Sequence, residues 1–136
     1  GGKSSLCAAI LGWMPTCAGT VSKPDGKQAY CPQEPWVVSG TISENVLGTF
    51  DKDRPSEGSE AQLWEALRLA CLEDDVRSFP GEASCEIGFR GLNLSGGQKA
   101  RLGLARALAL DGAAAFVLDD VLSALDMLTA QKIVQR

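Results

Sequence analysis

The sequence predicts an α/β fold with a mainly parallel sheet, and three stretches carry that prediction. Ala113 to Leu118 is an unbroken apolar run closed by Asp119 and Asp120, the pattern of a strand buried on both faces in a parallel sheet. Gly1-Gly2-Lys3-Ser4-Ser5 is a glycine-rich turn that runs directly into a helical pattern. Ser95 to Leu110 places Leu102, Ala105 and Leu108 on one side, with Arg101 and Arg106 spaced among them, which is the period of an amphipathic helix.

Along the chain, Ser4 to Leu11 carries Leu6, Ala9 and Ile10 on a helical face, and Gly12 supplies a stop. Thr20 to Ser22 and Gln28 to Cys31 are β-prone pieces parted by the turn composition Lys23-Pro24-Asp25-Gly26. Pro32 and Pro35 force an extended loop around Gln33. Thr41 and Glu44 have capping-box spacing ahead of Val46 and Leu47, so a helix starts there. Asp51 to Glu60 is polar and rich in turn formers, a surface loop. Ala61 to Leu72 repeats Leu63, Ala66, Leu67 and Ala70 at helical spacing. Phe79 to Asn93 reads as loop, and Leu128 to Gln135 as a last amphipathic helix.

The composition, 45% hydrophobic and 22% charged over 136 residues, is enough for a buried core. No stretch approaches the ~18 uninterrupted apolar residues of a membrane span, because Arg106, Asp111 and Asp119 break the most hydrophobic part. Net charge is −4 with scattered basic residues, which argues against nucleic acid as a partner. The five cysteines are odd in number and form no C-x-x-C pair, and they are expected to be buried reduced thiols of a cytosolic environment. With no histidine, the commonest metal ligand and every Ser/His or Cys/His nucleophile pair are missing.

Three segments point to phosphate chemistry. Gly1 to Ser5 has the end of the P-loop pattern G-x-x-x-x-G-K-[ST]: glycines let backbone approach an anion, Lys3 brings a point charge, and Ser4 offers a hydroxyl to Mg²⁺. A glycine-rich helix cap is the simpler reading of that stretch taken alone. Ala113 to Asp120 has the Walker B pattern, a buried strand that delivers a carboxylate to Mg²⁺, although two acids after a strand also suit a helix N-terminus. Ser95 and Gln98 form an S-x-x-Q capping box, which leaves Gly96 and Gly97 unexplained. Each glycine in a helix costs about 1 kcal/mol against alanine, so two together mark a backbone that something approaches closely.

Leu94-Ser95-Gly96-Gly97-Gln98 resembles the signature motif of ATP-binding-cassette proteins. Ala29 to Trp36, with Gln33, resembles that family's Q-loop, Gly40 to Leu47 the segment that follows it in exporters, and Ser123 to Asp126 the D-loop. The pattern is most similar to the first nucleotide-binding domain of the C subfamily, the multidrug-resistance-associated group. The resemblance implies a P-loop NTPase three-layer core with a mainly parallel sheet and an inserted α-helical subdomain. It further implies a partial domain, with 1–39 and 111–136 from the core and 40–110 forming the helical subdomain.

The resemblance also implies the cofactors ATP and Mg²⁺ and a role for each site residue. Gly1, Gly2, Lys3, Ser4 and Ser5 hold phosphates. Ser4, Gln33 and Asp119 hold Mg²⁺, and Gln33 and Asp120 serve catalysis. Leu94, Ser95, Gly96, Gly97 and Gln98, with Asp126, meet the ATP carried by a second nucleotide-binding domain. The implied partners are that second domain and the transporter's transmembrane domains, met partly by Trp36 to Gly40, at the cytosolic face of a membrane. The implied function is ATP binding and hydrolysis that drive transport through domain pairing.

Asp120 stands where most active members carry Glu, so a mainly ATP-binding regulatory cassette is the alternative. A soluble cassette ATPase is disfavoured by the exporter-like segment Gly40 to Leu47 and by the acidic balance. Residues 48–60 look like a lineage-specific loop, and Phe89 stands where an acid is common.

Overall fold

The computed structural model describes residues 2–49, 59–89 and 92–135. Among these residues, six α-helices and four strands run in the order α1 Lys3–Leu11, β1 Lys27–Cys31, β2 Gly40–Thr41, α2 Ile42–Leu47, α3 Glu60–Leu69, α4 Glu73–Ser78, β3 Glu86–Ile87, α5 Gly96–Leu108, β4 Ala113–Leu118 and α6 Met127–Val134, with a 3₁₀ turn at Glu82–Ser84 before β3. The architecture is α/β, as expected. β1 and β4 pair in parallel, with Ala29 opposite Phe116 and Cys31 opposite Leu118. Both strands therefore end at the same level, and the segments that leave them, Pro32-Gln33 and Asp119-Asp120, emerge side by side.

The core lies between the inner face of β1 and helices α2 to α5. Cys31, Ile42, Val46, Leu67, Leu72, Val76 and Leu102 are buried there. α5 occupies its centre, packing on β1, α2 and α3. Both capping boxes form. Thr41 Oγ1 accepts from the Glu44 amide at 3.1 Å, and Glu44 Oε2 accepts from the Thr41 amide at 2.7 Å. α5 repeats the arrangement with Ser95 and Gln98. Helix α1 ends at Gly12 in the left-handed region, as its glycine predicts.

Several expectations are corrected. Thr20 to Ser22 is not a strand, since local β-propensity without a neighbouring strand to pair with forms no ladder. The helix expected over Ala61 to Leu72 is broken by Cys71 at φ 54, and α4 begins two residues later. Phe79 to Asn93 is not all loop: β3 pairs antiparallel with β2, Thr41 opposite Glu86, and the Ile42 amide donates to the Cys85 carbonyl.

β4 is not fully buried. Phe116 and Leu118 share the face of Ala29 and Cys31 yet are 48% and 44% exposed, because α5 packs over β1 and leaves an open cleft over β4. The five cysteines are free, but only Cys31 is buried; Cys7, Cys71 and Cys85 are half-buried and Cys17 is exposed. The 51–60 loop lies outside the described residues up to 58; Ser59 caps α3 and Glu60 is its first residue. No described helix is long and apolar enough to cross a membrane.

Candidate functional site

The predicted residues gather at two corners, and the first lies where β1 and β4 end. The Asp119 amide donates to the Cys31 carbonyl at 2.9 Å, which extends the parallel ladder and fixes the loops that follow. Asp119 is buried at the sheet end, 4% exposed. Asp120 then turns outward at φ 54, a left-handed conformation that Asp adopts more readily than most side chains. The Ser123 hydroxyl holds this turn by donating to the Asp120 carbonyl at 2.7 Å.

The Asp120 carboxylate meets two of the other predicted residues. Lys3 Nζ stands 3.6 Å from Oδ2, and Gln33 Nε2 donates to the same oxygen at 3.5 Å. Both contacts are long and solvent-reached, so they add little to stability. Their value is convergence: residues from three distant parts of the chain present a cation, an amide and a carboxylate to one space. Gly2 precedes α1 at φ 94, where a side chain would be strained, and Ser4 and Ser5 follow in an exposed first turn. Gly1 lies outside the described residues.

The second corner is the start of α5. Ser95 Oγ accepts from the Gln98 amide at 3.2 Å, and Gln98 Oε1 accepts from the Ser95 amide at 2.9 Å. The Gly96 and Gly97 amides are left without an acceptor among the described residues, as first-turn amides are without an outside partner. No acidic residue sits in that turn to answer its dipole. A methyl group at Gly96 would meet nothing within 4 Å, and one at Gly97 would only touch the Ala124 carbonyl at 3.6 Å. Leu94 is buried and anchors the turn from below.

Within the described residues, no hydrogen bond or ion pair joins Leu94 to Gln98 with Lys3, Gln33 or Asp120. Asp126 belongs to neither set of contacts. Its Oδ1 accepts from the Thr129 amide at 3.0 Å as the N-cap of α6, and hydrogen bonding from Thr129, first from its side chain and then from its amide, holds the carboxyl below the ordinary aspartate range.

Residues that the motifs do not mark complete both corners. Asp75 of α4 accepts from Gln98 Nε2 and from Arg101 Nη1, each at 2.8 Å, so the capping glutamine is itself held. Arg106 of α5 donates to the Asn45 and Trp36 carbonyls and stacks on the Trp36 ring at 3.5 Å. Burial pushes Arg106 down to about 10 and the neighbouring Cys31 thiol up to about 11, which leaves the first charged and the second neutral at pH 7. The trace of these partners in the sequence is an acidic run, Glu73-Asp74-Asp75, and two arginines among the apolar positions of α5.

Among the described residues no group of three or more His, Cys, Asp or Glu could hold a metal alone. The cleft of about 500 Å³ between α5, β4 and α6 is lined by Leu104, Leu108, Leu118, Val121 and Ile133, with Asp120 its only charge, and so offers a phosphate little.

A glycine turn leading into a helix, a lysine, and a carboxylate pair at the end of a parallel strand together define a phosphate-binding α/β module. The chain belongs to the ABC transporter family, whose model matches residues 1–123. ATP binding is the general property of such domains. The chain is 44% identical over 125 residues to ATP-binding cassette sub-family C member 2 of Rattus norvegicus, which covers 92% of this chain and 8% of that protein. It is 42% identical over 135 residues to ABC transporter C family member 13 of Arabidopsis thaliana, 99% of this chain and 9% of that one. Among solved structures it resembles a bacterial Atm1-family ABC exporter with ATP bound, at a TM-score of 0.68 and 31% identity over 79% of this chain and 18% of the exporter. The chain thus spans under a tenth of the length of these two C-family relatives.

Proposed function

We propose that this chain is part of the ATP-driven engine of a C-family exporter, with 1–39 and 111–136 forming core and 40–110 a helical subdomain, and that it works by pairing with a second nucleotide-binding domain. Lys3 and the first-turn amides of α1 hold the phosphates, with Gly1, Gly2, Ser4 and Ser5 shaping the cradle. Ser4, Gln33 and Asp119 would hold Mg²⁺, together with phosphate and water oxygens, which suits a site where no all-protein metal cage stands among the described residues. A Mg²⁺ held there would supply charge neutralisation for the transferred phosphoryl group. Gln33 and Asp120 orient and deprotonate the attacking water.

The Ser95, Gly96 and Gly97 end of α5 receives the γ-phosphate of ATP bound by the partner domain, with Asp126 near that junction. Closure requires nucleotide because this helix end has no anion of its own, so ATP favours the closed pair by the contacts it adds. The pair acts on transmembrane domains at the cytosolic face of a membrane, through the exposed segment around Trp36.

The convergence of Lys3, Gln33 and Asp120 carries this reading. A second reading, a cassette that retains ATP and regulates a partner, is favoured by Asp120 itself. Its carboxyl sits one bond closer to the backbone than Glu, and a misplacement of about 1 Å costs roughly 100-fold in rate. In the full-length protein, Lys3→Ala removes ATP binding at this site, and wild-type affinity would reject the P-loop assignment. Asp120→Glu raises turnover at this site under the engine reading; unchanged turnover with tight ATP retention selects the regulatory one.

A further inference from the structure

We propose that Gly103 and Arg106, in the body of α5, are positioning residues for Gln33: they grip the loop that carries it from below and set where its amide stands. The proposal rests on Gln33 facing the nucleotide, as read above.

Gln33 is exposed, and its side chain has one contact among the described residues, the 3.5 Å approach to Asp120. Nothing at its own position holds it in place. The loop around it is held instead at four points. Cys31 is fixed by the β1–β4 ladder. Pro35 lies against Gly103 so closely that a methyl group there would be 2.5 Å from Pro35 Cβ and 2.9 Å from Cγ. Real side chains do not pack at that distance, so the glycine is what lets helix and loop touch.

One helical turn on, Arg106 grips the next residue of the loop. It donates to the Trp36 carbonyl at 3.1 Å and covers the Trp36 ring at 3.5 Å. The same guanidinium donates to the Asn45 carbonyl at 2.6 Å and to Asn45 Oδ1 at 3.3 Å. Asn45, fully buried, closes the fourth point by accepting from the Val38 amide at 3.0 Å and donating to the Val38 carbonyl at 2.9 Å.

A planar fork that makes three hydrogen bonds and a stack is specific to arginine; lysine keeps the charge and loses the fork. Helix α5 also opens at Ser95, about 12 Å up its axis from Gly103 at 1.5 Å per residue. One rigid rod therefore presents the first-turn glycines at its end and holds the Gln33 loop at its middle.

The test uses the full-length protein and equilibrium ATP binding, with and without Mg²⁺. If Gln33 helps hold Mg²⁺, Gln33→Ala lowers the Mg²⁺-dependent gain in ATP affinity by about fivefold, the worth of one ordinary hydrogen bond, and leaves Mg²⁺-free affinity unchanged. Arg106→Met is expected to produce the same split, Arg106→Lys a smaller one, and the double variant with Gln33→Ala no further loss. Gly103→Ala, which favours the helix but collides with Pro35, carries the same comparison if Arg106→Met does not fold.

An effect in Gln33→Ala with none in Arg106→Met or Gly103→Ala, or losses that multiply in the double variant, overturns the proposal. So does a fall in Mg²⁺-free affinity equal to the fall with Mg²⁺, which would mark general damage. No effect in Gln33→Ala itself overturns instead the placement of Gln33 at the nucleotide.

Discussion

Replacing Asp75 by alanine removes the carboxylate that hydrogen-bonds α4 to the start of α5. Its two oxygens accept from Gln98 Nε2 and Arg101 Nη1, both at 2.8 Å, and the Asp75 and Arg101 side chains are 27% and 17% exposed. Hydrogen bonds to a charged group are worth about 1.5–3 kcal/mol when buried and less where water reaches them, so about 1 kcal/mol each is a fair figure here. Asp75→Ala is therefore expected to cost about 2 kcal/mol. Asp75→Asn keeps an acceptor for Gln98 and loses only the ion pair, so about half that is expected.

Urea unfolding followed by tryptophan fluorescence suits the measurement, because one of the three tryptophans, Trp64, lies beneath Arg77 of α4 at 4.1 Å. The consequence reaches the site: without Asp75, Gln98 holds the Ser95 amide only through its own rotamer, and the helix start frays. An Asp75→Ala protein within about 0.5 kcal/mol of the parent would refute this account, since changes that small are typical of uninvolved surface positions. An Asn variant as damaged as the Ala variant would refute the division between the two bonds.

Three further outcomes are expected. Asn45→Ala leaves the Val38 amide and the Val38 and Thr41 carbonyls without their partner, and costs about 3 kcal/mol in the same unfolding measurement. Under native conditions Cys17 is alkylated first and Cys31 last, since Cys31 is buried with its thiol pushed up to about 11; mass spectrometry of timed samples gives the order. Asp126 is held below the ordinary aspartate value of 3.8, so its cap stabilises α6 above that value and is lost as pH falls through the lower folded value; amide exchange at Leu128 and Thr129 accelerates there, and Asp126→Asn removes that dependence.

What was legible in the sequence is what local chemistry encodes. The Thr41/Glu44 and Ser95/Gln98 boxes, the Gly12 stop and the Ala113 to Leu118 strand each follow from residues a few positions apart. Motif chemistry also led to Lys3, Gln33 and Asp120, which the fold brings together. β2 and β3 were hidden because two-residue strands have no periodicity to detect, and α4 because six residues rich in acid resemble a loop. The partners of the site were hidden for a different reason. Asp75 finds Gln98 across 23 positions and Arg106 finds Trp36 across 70, and no local pattern encodes either meeting.

The parallel pairing of β1 with β4 bears on the order of folding. Gln33 and Asp120 are 87 positions apart, and they become neighbours only when the whole crossover has closed. Closing so long a loop is slow compared with assembling helices that adjoin in sequence. The corner where Lys3, Gln33 and Asp120 meet is thus among the last parts of this polypeptide to mature, and any ligand that binds there selects chains in which that crossover has closed. Under the proposed reading, ATP would thus inspect the closed crossover during synthesis.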